Sequence, residues 1–464
     1  MPTLILGISG ARGIVGDGLD ATIAARLAVA YVGIVGAGPI LLGRDSRPSG
    51  LQLGGAVSAA LQTAGCSVTE LGVVPTPTVQ VAVEELGARG GIVITASHNP
   101  PAWNALKFIG RQGTFLAPAP MERLITLFQG TAPGTAVHGE QAAFLESDGT
   151  TATGKAMIAR HVERIVARIP VTAIRQASLA VVVDAVHGAG QVLVAPLLER
   201  LGVRAAWIAG EPDGNLPARP EPRAERLTPL AEAVERDRAN LGFALDPDGD
   251  RCAPVLPGQV LGEEWCLPLC AYEMLAGGAR GSLVTNQSTS ARLEWLGEHY
   301  GVALVRTPVG EAHVVGRMQG EEVLLGGEGN GGVIDPRVHL GRDAGVAIAR
   351  LLALETRGPA GAGGVAQAAA AFPQLYMAKR ELDLARSDFP ALIKGLERAW
   401  GAPEQRDDGG RWVWEDGWLH VRPSGTEPVV RVIAESREEP RTGERVAHVL
   451  AIAAKIGKAP AGSG

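Results

Sequence analysis

The segment Gly91-Ile92-Val93-Ile94 is apolar and β-branched, then breaks into Thr95-Ala96-Ser97-His98-Asn99-Pro100. Such a run reads as a buried strand ending in a small polar turn closed by proline. Strand ends in α/β sheets face the ligand crevice, so Ser97, with His98 beside it, is a candidate nucleophile. Asp246, Asp248 and Asp250 stand at alternate positions after a second apolar run, Leu241 to Leu245. Three carboxylates so close repel one another unless a cation sits among them. The pattern opens like an EF-hand, but its sixth position is Arg251 and its twelfth is Pro257. Mg²⁺ is therefore favoured over Ca²⁺, because it accepts few protein ligands and leaves sites for phosphate. Arg422, Ser424, Gly425 and Thr426 form a third group. Small residues expose backbone N–H groups, hydroxyls donate, and a guanidinium grips two phosphate oxygens at once. Arg431 adds a second charge there, and Arg12, between glycines near the N-terminus, can reach a phosphate. Glu328 lies among glycines in a loop, where a lone carboxylate suits sugar hydroxyls. Taken singly, each of these is also an ordinary polar turn.

The elements that must position these residues alternate. Helices are expected at 21–35, 51–64, 191–201, 344–355 and 388–400, the last with Asp388 as N-cap. Strands are expected at 39–42, 67–71, 179–183, 241–245 and 282–285, with a turn at 74–78. This alternation implies mainly parallel sheets with helices on both faces. Residues 140–155 read as a linker and 358–371 as a boundary. After that boundary the order changes: Trp412 to Trp414 and Trp418 to Val421 alternate around Asp416-Gly417, a hairpin signal, before a strand and a final helix. The fold class is thus α/β, with three mixed α/β domains at 1–150, 151–256 and 257–371 and an α+β domain at 372–464.

With 464 residues, several domains are required. A net charge of -6 argues against nucleic acid as a partner. The run Leu27 to Gly43 carries Gly33, Gly36, Gly38 and Pro39, which splits it into a helix end and a strand instead of a membrane span. The start lacks a basic segment and an apolar core, so no signal peptide and a cytoplasmic location are expected. The four cysteines, Cys66, Cys252, Cys266 and Cys270, include no CxxC, which favours reduced core residues over a zinc site.

In order and content these motifs resemble the α-D-phosphohexomutase superfamily: phosphoglucomutases, phosphomannomutases and phosphoglucosamine mutases. Asn104 and Lys107 match the segment after the serine. The resemblance covers essentially the whole chain. It implies domains around a central active-site cleft, and Ser97 as a phosphoserine whose phosphate meets a Mg²⁺ on Asp246, Asp248 and Asp250. It also implies transfer to a sugar monophosphate through a hexose bisphosphate, which serves as intermediate and activator. Arg12, Lys107 and Arg251 would stabilise the transferring group, with Lys107 as general acid/base if its pKa is depressed. Arg422, Ser424, Gly425, Thr426 and Arg431 would hold the other phosphate. His98, Thr307, Gly310, Glu328 and Asn330 complete the substrate side. Partners would be small sugar phosphates, with no membrane, for a monomer or homodimer.

The sugar loop departs from the common Gly-Glu-Met-Ser-Gly-His. Asn330 replaces the serine and Gly332 the histidine, leaving space there, with His339 as a candidate for the vacated role. Ala105 replaces a usual glycine, and Glu311 follows Gly310 where a basic residue is common. The Glu-x-Asn-Gly-Gly form looks like the archaeal-type phosphoglucosamine mutase branch. A phosphoglucosamine mutase of relaxed sugar specificity is expected, with phosphomannomutase or phosphoglucomutase as the alternative. A metal-dependent sugar phosphatase or a non-catalytic sensor are further readings.

Overall fold

A computed structural model describes residues 4–130, 149–320, 322–358, 363–425 and 429–456. The first sheet runs in the order Leu4–Gly7, Gly10–Val15, Trp103–Ile109, Gly90–Ile94, Pro39–Arg44, Ser67–Val73. Pro39–Arg44 is parallel to both Gly90–Ile94 and Ser67–Val73, but Trp103–Ile109 returns antiparallel beside Gly90–Ile94. The second sheet repeats this: Leu241–Leu245 is parallel to Ala180–Asp184 and antiparallel to Cys252–Leu256. In the third, Val323–Glu328 is parallel to Ser282–Asn286 and antiparallel to Gly332–Ile334. All three sheets are therefore mixed, and only the third, where Ser282–Asn286 has parallel neighbours on both sides, is mainly parallel. In each, the candidate site residues lie at the same place, the hairpin connection after a central parallel strand. The fourth sheet, Tyr376–Leu382, Val430–Ser436, Gly417–Pro423, Gly410–Trp414, is wholly antiparallel, as the Asp416-Gly417 signal implied.

Several local expectations are corrected. Thr76 and Pro77 are not in a turn but open the helix Thr76–Glu85, whose first turn accommodates proline. Residues 140–148 of the expected linker lie outside the described residues, and Ala152–Val166 is a helix capped by Thr151, which accepts from the Gly154 N–H. Gly364–Ala371, read as part of a boundary, is a helix with Val365 and Ala368 in the core. Asp388 precedes the helix Phe389–Trp400 without a side-chain capping bond.

One continuous apolar cluster links Leu41 of the first sheet and Val79 of the helix Thr76–Glu85, Val181 and Phe243 of the second sheet, and Leu283 and Leu325 of the third. The C-terminal domain has its own core around Leu392, Trp412, Leu419 and Val432. It meets the third domain mainly through polar contacts: Ser290 Oγ donates to Glu435 at 2.6 Å, Gln287 Nε2 donates to Asp407 at 2.6 Å, and Ser288 Oγ lies 2.8 Å from His420 Nδ1. All four cysteines are buried and form no disulfide. No helix among the described residues is long and apolar enough to cross a membrane.

Candidate active site

Ser97 leaves its strand in the left-handed region, at φ 49°, which costs a non-glycine residue of order 1 kcal/mol and must be held by its surroundings. The Ser97 N–H donates to Thr95 Oγ1 at 2.9 Å, and that hydroxyl donates to Asp45 at 2.6 Å. Arg47, 1% exposed, does the rest. Its guanidinium donates to the carbonyls of Ser97 at 2.6 Å, Asn99 at 2.7 Å, Pro100 at 2.9 Å and Trp103 at 3.1 Å, and to Asp45 at 3.0 Å. Nothing in the sequence assigned Arg47 a role, because its partners are backbone oxygens about fifty positions away.

The aspartate loop belongs to the next domain yet meets Ser97 directly: the hydroxyl donates to Asp246 Oδ2 at 2.7 Å. Asp246, Asp248 and Asp250 are all fully buried, and one oxygen from each lies within 4.8 Å of the others. Asp248 Oδ1 and Asp250 Oδ1 have no hydrogen-bond partner. Buried carboxylate oxygens without a hydrogen-bond donor, on three aspartates this close together, fit a small hard cation. Burial and the charges of Asp250 and Asp248 push Asp246 well above the usual carboxylate range. Asp248 goes the other way: burial alone would raise it, but Lys107 and the Thr76 hydroxyl hold it down.

Lys107 Nζ lies 2.6 Å from Asp248 and 3.4 Å from Asp250. Burial opposes its charge, but these two carboxylates outweigh that and raise its pKa. The depressed pKa on which a general acid/base role for Lys107 is conditional is thus not found; these carboxylates favour its ammonium form. Arg251 reaches Asp250 at 3.5 Å and Asp246 at 3.7 Å. Arg12 donates to the Ala96 carbonyl at 3.3 Å and closely to Asn99 Oδ1. His98 registers the resulting field, its pKa pushed well down first by burial, then by Arg251, Arg12 and Arg431. Arg251, Arg12 and Arg431 thus all act on this part of the cleft, where guanidinium groups suit a phosphate dianion.

Glu328 is not in a flexible loop. It ends the strand Val323–Glu328 in a tight hairpin and is buried. At Gly331, φ 92°, a Cβ would stand 2.5 Å from the Cys252 carbonyl, so only glycine fits the hairpin tip. The Glu328 carboxylate accepts from Asn286 Nδ2 at 2.8 Å, the Gly310 N–H at 3.0 Å and Arg342 Nη1 at 2.6 Å. Burial would raise its pKa, but Arg342 and these donors keep it below the ordinary value. Asn330 Nδ2 also donates to it, at 3.3 Å.

On the far wall stand Arg422, Ser424, Gly425 and Arg431. Arg422 Nε donates to Asp408 at 2.8 Å, and Arg431 Nη1 lies 3.2 Å from Glu381. One cleft brings together Arg12, Ser97, His98, Lys107, Arg251, Gly310, Glu328, Asn330 and this wall, above the buried aspartates. Thr307 does not join them; its hydroxyl donates to the Pro308 carbonyl at 2.9 Å and the Thr285 carbonyl at 3.4 Å. Thr426 lies outside the described residues. His339 is also corrected. It is buried away from the cleft, its Nε2 3.2 Å from Asp343. Asp343 also receives His161 Nε2 at 2.7 Å and caps the helix Ala344–Glu355. This His-Asp-His group joins two domains through those bonds, while His339 Nδ1 is buried without a hydrogen-bond partner. Nor does Gly332 leave a space: a Cβ there would stand 2.2 Å from Arg342 Cδ. Glu311, noted in the sequence only as a departure, lines the cleft; sequence reasoning missed Arg342, which also lines it, and Lys379, which spans Glu263 at 2.7 Å and Glu264 at 2.8 Å.

Known proteins place this geometry. The phosphoglucomutase/phosphomannomutase family matches in four successive parts: alpha/beta/alpha domain I over residues 3–133, domain II over 159–258, domain III over 263–370 and the C-terminal domain over 382–453. The chain is 31% identical to a phosphoglucomutase/phosphomannomutase of Thermococcus kodakarensis over 95% of its length and 96% of that protein. It is 31% identical to a phosphoglucosamine mutase of Frankia alni, covering 97% and 98% respectively. A crystal structure of a phosphoglucomutase/phosphomannomutase family protein from Burkholderia thailandensis superposes with a TM-score of 0.78 at 26% identity, covering 99% of this chain and 98% of that one.

Proposed function

Because the chain belongs to the phosphoglucomutase/phosphomannomutase family, and is therefore a phosphomutase and an isomerase, we propose that it interconverts hexose 1-phosphates and 6-phosphates through phosphorylated Ser97. The observation that carries this is Ser97 Oγ, 2.7 Å from Asp246 in the aspartate loop and facing the same cleft as Arg422 and Arg431. A hydroxyl at a cation site opposite an independent phosphate clamp is what transfer at either end of one sugar requires.

Ser97 donates its phosphoryl group to the free hydroxyl of a sugar monophosphate. The bisphosphate turns over in the cleft, and Ser97 Oγ takes back the other phosphate. Asp246, Asp248 and Asp250 would hold a Mg²⁺, which would supply neutralisation of the charge on the transferring group. Arg12, Lys107 and Arg251 add fixed positive charge around the same group, so catalysis is positioning plus electrostatic stabilisation. Arg422, Ser424, Gly425, Thr426 and Arg431 hold the phosphate that does not react. Glu328 accepts from hydroxyls at C3 and C4, which glucose and glucosamine phosphates share, once they displace donors such as Asn330 Nδ2 from its four filled acceptor sites.

The preferred sugar is proposed to be glucosamine phosphate, with glucose and mannose phosphates also turned over. The relatives carry both kinds of name, although the roomy loop expected from Gly332 is absent. A mutase assay across the phosphates of all three sugars, each with its bisphosphate, tests this. Discrimination below roughly 10³-fold is expected, since a site that leaves no buried polar group unpaired rejects an analogue weakly. Stronger selection for one sugar overturns the relaxed specificity, and release of inorganic phosphate without isomerisation overturns the mutase.

A further inference from the structure

Arg342 stands where three walls of the cleft meet. Its Nη2 donates to Asp250 at 2.7 Å, its Nη1 to Glu328 at 2.6 Å and its Nε to Glu311 at 2.9 Å. The first carboxylate comes from the metal loop, the second from the sugar loop and the third from the turn of Gly310. Arg342 is 7% exposed and lines the cleft. Its backbone is fixed by its neighbour Asp343, which is gripped by His161 and His339 and caps the next helix. Gly332 is the counterpart of this arrangement. A Cβ there would meet Arg342 Cδ at 2.2 Å and Cγ at 2.8 Å, so only glycine lets the arginine pass.

The charges explain what such a residue is for. Asp246, Asp248, Asp250, Glu311 and Glu328 are all buried in this part of the molecule. Lys107 and Arg251 serve the aspartate loop, and Arg342 serves Glu311 and Glu328 as well as Asp250. Without Arg342 two sugar-side carboxylates lose their cation, and a dianionic sugar phosphate would enter a more negative cleft. A cation entering the same cleft would gain from the change.

We propose that Arg342 is a positioning residue that determines sugar-phosphate affinity: it fixes Glu328 and Glu311 against the metal loop and cancels charge that would repel the substrate. The inference rests on the phosphohexomutase reading. Its signature is a split between ligands of opposite charge, which a merely structural role would not produce.

Calorimetric titration of glucose 1-phosphate, and separately of MgCl₂, into the Ser97→Ala protein measures binding without turnover. Adding Arg342→Gln should weaken glucose 1-phosphate at least about tenfold, with Mg²⁺ bound as tightly as before or more tightly. Arg342→Lys should fall between. Glu311→Gln on top of Arg342→Gln should recover much of the lost sugar-phosphate affinity, because it removes one uncompensated charge. Gly332→Ala keeps the guanidinium but pushes its stem aside, and should weaken glucose 1-phosphate too. Equal loss of both ligands in Arg342→Gln, unchanged glucose 1-phosphate binding, or no recovery in the double variant each overturn the inference. A parent protein that binds no glucose 1-phosphate instead overturns the phosphohexomutase reading, and this inference with it.

Discussion

Ser97 and Arg422 line one cleft from different domains, but their surroundings differ. The serine loop is gripped by buried Arg47, Asp45 and Thr95 and rests on three fully buried aspartates, all within domains that share one apolar core. Arg422 is paired to Asp408, which is 15% exposed, on a domain with a separate core and a polar junction. Rigidity at the first site serves a reaction in which fixed charges must already face the transferring group. Under the proposed function a phosphate would replace Asp408 as the partner of Arg422 at the second site. The chemistry is thus expected to live in the shared body and the binding in the appended domain.

The largest test of that division is Ser97→Ala. It should lower kcat by at least roughly 10³-fold with the fold intact, because the covalent route is gone. Intact-mass analysis should find one phosphate on the wild type and none on the variant. Near-normal turnover by the alanine variant would remove the centre from its role.

Chelation separates the centre's chemistry from its stability. Lys107, 2.6 Å from Asp248, already neutralises part of the aspartate loop without a metal. Activity should therefore vanish with EDTA while the thermal unfolding midpoint stays nearly unchanged. A large fall in the midpoint would mean that the loop is a structural metal site.

Arg422→Ala probes the other side. It should lower kcat/KM for the 1-phosphate and the 6-phosphate alike, since the same clamp serves both half-reactions. The loss should sit toward the lower end of the roughly 2–5 kcal/mol measured for truncated charge pairs, because the vacated Asp408 is not fully buried. A defect in one direction alone would break the symmetry on which the comparison rests.

How much of this was legible in the sequence follows from distance along the chain. Ser97 and the three aspartates each fall within a few residues of a strand end, so local pattern found them. The hairpins that make the sheets mixed were invisible, because a strand reads the same whichever way its neighbour runs. Arg47 acts on carbonyls, Arg342 joins three separated segments, and Thr307 turned its hydroxyl onto its own backbone; none of these has a local signature. His339 shows the converse, a plausible residue type near the sugar loop whose ring packs into a joint between domains.

The smallest expected effect lies in the polar junction itself. Glu264, on the short turn Glu263–Trp265, reaches Lys379 of the C-terminal domain at 2.8 Å, while Lys379 also serves Glu263 at 2.7 Å. Burial raises Glu264 from the ordinary 4.5 to about 7, Lys379 opposing and Glu263 adding to the rise. A carboxyl whose folded pKa exceeds its unfolded one favours the fold while protonated. Its contribution is fully present below about 4.5 and is lost as pH rises through about 7. Because Glu264 borders the cleft, where water screens it, the change should be on the order of 1 kcal/mol. The free enzyme should thus unfold more easily at pH 8 than at pH 5.5, read as a lower thermal unfolding midpoint. Glu264→Gln, which cannot ionise, should flatten that pH dependence. An unchanged slope in the variant would move the pH sensitivity elsewhere and leave the two regions of the molecule joined by charge that does not titrate.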